Sequence, residues 1–334
     1  MISSERKIIE ILKILSEQKE PVGAKFIADQ LKKRGIYLTE PTVRYYLRIL
    51  DERGLTKNYG LRGRVITEKG LKEIEKGDIA DRIGYSISRV HECVFYSNFD
   101  VESGEGKVVA NLAIFPREYL DEVLDMFYRC WRKGLTFSDK VIVDENIPFI
   151  EENEVGMYYI SSFTLDAVLY RNGIVSLPRF AGSIEISNFN FVRFTQVIGL
   201  EESSITALDL FIQRMYSDKD EESISNLLER GEGEVYGMYR EIPFVAREKT
   251  IEILEKLKEY GISPLHVIGE LDKSVCGIPP RGVNKVGLVC VGPSTPVGIL
   301  RALKVPIRVH ISSEIIEFSK FKSLESYLEV KSYE

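Results

Sequence analysis

The chain has 334 residues, 44% of them hydrophobic and 29% charged, and a formal net charge of −6. That length suggests roughly two or three domains, and the composition suits a globular protein with ample material for a core. No run of about 18 apolar residues occurs, which excludes a membrane-spanning helix, and the charged start Met1-Ile2-Ser3-Ser4-Glu5-Arg6-Lys7 lacks a secretory signal, so a cytoplasmic location is expected.

The charge is unevenly placed. Residues 1–80 carry 17 Lys and Arg against 12 Asp and Glu, and the remainder 28 against 39. A basic head on an acidic body predicts that only the head meets a polyanion.

Three helices are predicted in quick succession. The first runs from Ser4 to Glu17, with Ile8, Ile9, Ile11, Leu12 and Leu15 on one face. Pro21-Val22 breaks the pattern, and a second helix runs from Gly23 to Lys33, ended by Gly35. The third opens at Thr39-Glu40-Pro41-Thr42, a cap with proline in the first turn. Its core face is Val43, Tyr46, Leu47 and Leu50; Arg44, Tyr45 and Arg48 share another face. Leu55-Thr56-Lys57 and Arg64-Val65-Ile66-Thr67 then read as short strands around the glycine-rich turn 58–63.

Three helices and a basic hairpin make a winged helix, residues 1–70. Its third helix would enter the major groove and its wing would reach phosphates. Arg44 and Arg48 can bond base edges or phosphates, and Thr42 and Tyr45 can donate to phosphates. Lys57, Arg62 and Arg64 suit the backbone. A merely solvated helix face, or a protein-interaction module, is the competing reading. Residues 71–87, with Leu71, Ile74, Ile79 and Ile83, read as a helical connector.

The body, residues 88–334, is expected to be α/β (α+β) and internally duplicated. Ser103-Gly104-Glu105-Gly106-Lys107-Val108-Val109 matches Arg230-Gly231-Glu232-Gly233-Glu234-Val235-Tyr236 at an offset of 127, which also pairs Pro116 with Pro243 and Gly134-Leu135-Thr136 with Gly261-Ile262-Ser263. At an offset of 131, the strand from Val155 meets the strand from Val286. The halves are placed at about 103–225 and 230–334. Each strand leads through small residues into a helix: Ser161 and Ser162 in one copy, Ser294 and Thr295 in the other. Such a turn can cradle an anion, or simply cap the helix. Arg179 and Arg281 each follow an apolar-Pro element and could clamp a carboxylate, although a surface turn explains either equally well. Cys276 is a further candidate pocket residue, or core. The stretch Ser187–Phe194 is a candidate dimer surface or an edge strand packed within the monomer.

Neither metal nor catalysis is expected. Cys93, Cys130, Cys276 and Cys290 form no CxxC pair, and His91, His266 and His310 complete no ligand spacing. Free thiols are the expectation. No phosphate-binding GxxxxGK[ST] loop, GxSxG or Ser-His-Asp order is present.

The layout resembles the nitrogen-regulation repressor (NrpR) family of methanogenic archaea. The Thr39–Asp51 helix with its wing, the repeated SGEGKVV and RGEGEVY segments, and the tail Gly287-Leu288-Val289-Cys290-Val291-Gly292-Pro293 carry the resemblance. It implies a homodimer that binds a double-stranded DNA operator, represses nitrogen-assimilation genes and is released by the dicarboxylate 2-oxoglutarate. Another effector, an enzyme fused to a DNA-binding head, or a winged-helix scaffold without DNA are the rival expectations.

Overall fold

Helices α1 (Ser4–Ser16), α2 (Ala24–Lys33) and α3 (Glu40–Glu52) open the structure, a computed structural model that describes residues 4–18, 20–75, 85–147, 149–201, 203 and 220–329. They belong to the first of two units, residues 1–83 with 145–152; residues 84–144 with 153–334 form the second.

In the first unit the helices close over Ile11, Leu12, Ile27, Leu31, Val43, Leu47 and Leu50, all fully buried. Thr39 caps α3, its Oγ1 accepting from the Thr42 amide at 3.4 Å, which satisfies one of the unpaired donors of the first turn. Strands β1 (Thr56–Asn58) and β2 (Arg64–Ile66) pair antiparallel. Val22 adds a bridge to this hairpin, exchanging backbone bonds of 3.0 and 3.1 Å with Arg64. In sequence Pro21-Val22 marks only a break between helices. The close approach explains Gly63, whose φ is +111° and where a Cβ would lie 2.3 Å from the Val22 carbonyl. Helix α4 (Glu68–Glu75) follows, and its Leu71 and Ile74 pack on the same core. The rest of the expected connector, with Ile79 and Ile83, lies outside the described residues up to helix α5 (Tyr85–Tyr96).

The second unit repeats one β-α-β-β-α-β order. Its first copy is β3 (Lys107–Pro116), α6 (Leu120–Arg132), β4 (Lys140–Asp144), β5 (Glu154–Ile160), α7 (Phe163–Arg171) and β6 (Leu177–Ser187). Strand β7 (Asn190–Gly199) and helix α8 (Glu221–Arg230) come between the copies. The second copy is β8 (Gly233–Pro243), α9 (Arg247–Glu259), β9 (His266–Ile268), β10 (Lys285–Val291), α10 (Thr295–Ala302) and β11 (Arg308–Glu317). Strand β12 (Lys322–Ser323) and helix α11 (Leu324–Glu329) end the described chain.

The copies are not separate lobes. The last strand of each joins the sheet of the other. The sheets run β11-β3-β5-β4-β12 and β7-β6-β8-β10-β9, with antiparallel neighbours throughout. A division at residue 230 therefore describes the repeat in sequence but not the folded sheets. Corresponding bonds recur across the repeat: the Ser161 amide donates to the Val109 carbonyl, and the Gly292 amide to the Tyr236 carbonyl. One apolar core, drawing on both sheets, includes Val109, Phe127, Tyr159, Ile184, Tyr239 and Val289.

A charged pair sits inside that core. Arg240 of β8 is 0% exposed and donates from Nε to both carboxylate oxygens of Asp166 on α7 at 2.9 and 3.0 Å; Asp166 is 3% exposed. The Arg240 Nη2 donates to the Ser162 carbonyl at 3.0 Å, and Ser176 donates to Asp166 at 2.6 Å. The pair thus ties a helix of the first copy to a strand of the second. Removing one partner leaves an uncompensated buried charge, which costs about 3–5 kcal/mol. Arg240→Met is expected to lower unfolding stability by that amount in urea titration, and Arg240→Met combined with Asp166→Leu to recover most of it. A single variant as stable as the parent would contradict this account.

Candidate nucleic-acid interface and effector site

The exposed face of α3 carries Arg44, Tyr45 and Arg48. Arg44 and Arg48 are 70% and 69% exposed, each facing an acidic neighbour one turn away: Arg44 pairs with Glu40, and Arg48 with Glu52 at 3.8 Å. The Arg48 guanidinium also lies 5.9 Å from the Tyr45 ring centroid, within cation–π range. Thr42 Oγ1 shares a 2.8 Å hydrogen bond with Thr39 Oγ1 at the start of the helix. On the wing, Lys57 Nζ and the Arg62 guanidinium stand 5.5 and 5.9 Å from the Tyr59 ring centroid. Leu61 is fully exposed at the tip.

Arg64 is placed differently. Its Nε donates to Asp51 Oδ2 at 2.8 Å, and its side chain is only 19% exposed. Asp51 also accepts from Thr56 Oγ1 at 2.5 Å and Asn58 Nδ2 at 3.5 Å. Arg64 therefore braces the wing against the end of α3 instead of standing free. The sequence showed a cation beside the turn but not the carboxylate 13 positions earlier that holds it.

The effector candidates divide into two groups. Ser161, Ser162, Ser294 and Thr295 are all buried. Ser294 shares a 3.0 Å hydrogen bond with the Tyr159 hydroxyl, and Ser162 donates to Met238 Sδ at 3.1 Å. The Ser161 Oγ accepts from the Phe163 amide at 3.4 Å. Thr295 Oγ1 is buried with no hydrogen-bond partner among the described residues. The sequence leaves these helix starts as an anion cradle or as plain helix caps. They are closed from solvent because each packs against the other copy.

Arg179 and Arg281 come together on the second sheet. Glu241 of β8 is fully buried there and accepts from Arg179 Nε at 3.2 Å, Lys285 Nζ at 3.1 Å and the Arg281 amide at 2.6 Å. Burial alone would raise its carboxyl, but the Arg281 amide, Lys285 and Arg179 outweigh this and hold it below the usual range. Arg179 also bonds Glu201 at 2.6 Å, and the Arg281 guanidinium lies 5.1 Å from the Phe180 ring centroid. Cys276 is half-buried in the covering loop, where its carbonyl accepts from Phe194 at 3.0 Å and burial pushes its thiol up to about 11. The apolar-Pro-Arg elements thus converge on one carboxylate that the sequence reading had not singled out.

The stretch Ser187–Phe194 forms the hairpin from β6 into β7, an edge strand with Val192 and Val197 exposed. All four cysteines are free. Among the described residues, no cluster of His, Cys, Asp or Glu could hold a metal, and no helix is long and apolar enough to cross a membrane.

Residues 83–323 match the family model of the NrpR regulatory domains NRD1 and 2, and residues 9–74 match the winged-helix domain of ribonuclease R. The chain is 31% identical to the global nitrogen regulator NrpRI of Methanosarcina mazei, over 96% of this chain and 98% of that one. It is 33% identical to the global nitrogen regulator NrpR of Methanococcus maripaludis and 35% identical to that of Methanocaldococcus jannaschii, covering 97% and 89% of this chain. The chain spans only 56% and 51% of the length of these two relatives. A crystal structure of a nitrogen repressor-like protein from Methanococcus jannaschii superposes with a TM-score of 0.59 at 26% identity, over 72% of this chain and 98% of that one.

The geometry around Asp51 yields a test. Asp51→Ala strips the carboxylate from three donors, and bonds to charged groups contribute about 1.5–3 kcal/mol each at most. Thermal unfolding of the head is expected to fall by several degrees, with hydrogen exchange speeding up in the wing. Unchanged exchange there would remove Asp51 from its bracing role.

Proposed function

Because this chain belongs to the NrpR family, we propose that it is a nitrogen-responsive transcriptional repressor whose winged helix binds an operator and whose duplicated body senses 2-oxoglutarate. The carrying observation is the pairing of two features in one chain: an exposed Arg44-Tyr45-Arg48 face on a capped helix, and a body matching the NrpR regulatory domains. The named relatives are regulators and not enzymes, and the lack of any expected catalytic set agrees with that.

Arg44, Arg48, Thr42 and Tyr45 would meet the major groove, while Lys57 and Arg62 on the wing would meet phosphates. The protein would act as a homodimer, with its two recognition helices in half-sites about 34 Å apart or a multiple of that. The hairpin Ser187–Phe194, with Val192 exposed on β7, offers one candidate surface for such a dimer. The effector would bind one arrangement of the body better than another, and its differential affinity would set the operator occupancy.

Mobility shift with genomic fragments, titrated with 2-oxoglutarate, tests the whole reading. One fragment is expected to bind specifically and to be released as the acid rises. Specific binding indifferent to 2-oxoglutarate would retain the repressor and discard the effector; no DNA binding would favour an interaction scaffold. Within this assay Arg48→Ala is expected to cost about 1–3 kcal/mol at the specific site. Lys57→Ala should weaken all sequences alike and reduce the salt slope by about 1.

A further inference from the structure

The wing ends in one tight turn whose shape is fixed from below. Tyr59 donates to the Gly63 carbonyl at 2.8 Å, Gly63 to the Gly60 carbonyl at 3.2 Å, and the Gly60 amide to Asn58 Oδ1 at 2.8 Å. Gly60 and Gly63 take φ of +66° and +111°, and Leu61 and Arg62 form the apex between them. Below the turn, Asp51 accepts from Thr56 of β1 and Arg64 of β2, which ties both strands to the end of α3. The apex is thus held in one relation to α3 before any partner arrives, which spares the cost of ordering it on contact.

The residue at this apex is out of keeping with its place. Turns favour glycine, proline, asparagine, aspartate and serine, and the wing uses Asn58, Gly60 and Gly63 in that way. Leu61 has no such role and is fully exposed, whereas Leu12, Leu31, Leu47 and Leu50 of the same unit are fully buried. A single exposed leucine on a flat surface requires no explanation; one at the point of a braced hairpin, among cations, does. Lys57 and Arg62 are exposed, lie near the Tyr59 ring and have no ion-pair partner among the described residues. The wing therefore offers an apolar point with unpaired positive charge beside it.

Such a point fits a groove whose walls are anionic and whose floor is not. Phosphates border the DNA minor groove, while its floor presents sugars and base edges. The groove is about 6 Å wide, too narrow for a helix but open to one side chain. A wing that met only phosphates would gain nothing from leucine, which has no hydrogen bond to give. Within the groove the same side chain exchanges water for the apolar faces of the sugars. At a G·C pair it meets the guanine N2 amino group, a donor that it would strip of water without supplying an acceptor. A·T pairs carry no such donor there.

We propose that Leu61 is a specificity-determining residue of the head. It enters the minor groove beside the bases met by α3, with Lys57 and Arg62 on the bordering phosphates, and selects A·T pairs there without a hydrogen bond of its own. Apolar side chains inserted from the minor groove are a general means of reading DNA through its shape and deformability. This selection is separate from that of α3, because it depends on an amino group in the other groove. The inference rests on the reading of the head as an operator-binding winged helix. It extends the wing's part from phosphate contact to a base-pair preference.

The test uses the full chain and the genomic fragment retained in mobility shift, remade as three duplexes. At the base pairs flanking each half-site these carry A·T, G·C or inosine·C; the last lacks the N2 amino group, so it presents G·C to the major groove and an A·T-like minor groove. The parent is expected to bind the A·T and inosine·C duplexes alike and the G·C duplex about tenfold more weakly. Leu61→Ala should lower the first two about tenfold, to the level of the third, with an unchanged unfolding temperature because Leu61 is fully exposed. Leu61→Met is expected to recover most of the preference, and Arg48→Ala to weaken all three by one factor. Inosine·C bound as weakly as G·C would place the discrimination in the major groove and overturn the assignment. So would a parent that ranks the three alike, or a Leu61→Ala protein that keeps the parent's preference; in each of these cases operator binding by the head stands. A parent that retains no fragment would remove the operator reading itself, and the assignment of Leu61 with it.

Discussion

The body depends on one exchange of strands. Strand β6 leaves the first copy to pair with β8, and β11 leaves the second to pair with β3. Each sheet would otherwise expose the long edge of its first strand, and an unpaired edge is a liability in water. Exchange closes both edges at once and makes the two copies mutually dependent. It also limits how the body can move. Opening the copies like a hinge would break two long antiparallel ladders, whereas sliding of packed helices leaves the ladders intact. Movement within this module is therefore better accommodated by sliding helices than by separation of the copies.

Symmetry supplies the frame, and its departures supply the chemistry. Ile114 faces Gly156 on the first sheet where Glu241 faces Gly287 on the second. An apolar residue in one copy is thus a buried carboxylate in the other, neutralised by Arg179 and Lys285. The chain between β4 and β5 spans 145–153, while that between β9 and β10 spans 269–284 and carries Cys276 and Arg281. The glycines at 134 and 261 remain because the backbone requires them. A Cβ on Gly261 would lie 1.9 Å from Asp139 Oδ1, in addition to the positive φ.

What the sequence revealed was mostly local. The cap at Thr39, the core face of Val43, Tyr46, Leu47 and Leu50, and the hairpin after Gly54 follow from short-range periodicity and turn chemistry. The duplication was legible because glycine at a left-handed position tolerates little substitution, so Gly134 and Gly261 kept their place. The strand exchange was not, because pairing across 47 to 210 positions leaves no local mark. Nor was the burial of Ser161, Ser162, Ser294 and Thr295, since a hydroxyl at a helix start reads alike whether it faces water or the core. Arg240 is the sharpest case. An arginine in a strand reads as exposed, and only the fold brings Asp166 to it from 74 positions away.

Magnitudes separate the arginines of the head. The pairs Arg44–Glu40 and Arg48–Glu52 are exposed and one turn apart, and such pairs contribute only about 0.3–0.5 kcal/mol. A bidentate contact with a base edge discriminates by about 1–3 kcal/mol. Both arginines could therefore exchange their glutamates for a duplex with a net gain, and until then the glutamates offset like-charge repulsion along the face. Arg64 has no such freedom. Its partner Asp51 also serves Thr56 and Asn58, so releasing the arginine would leave a partly buried carboxylate short of its cation. The arginines of the head thus divide, by what each guanidinium would leave behind, between two that can exchange partners and one that braces the wing.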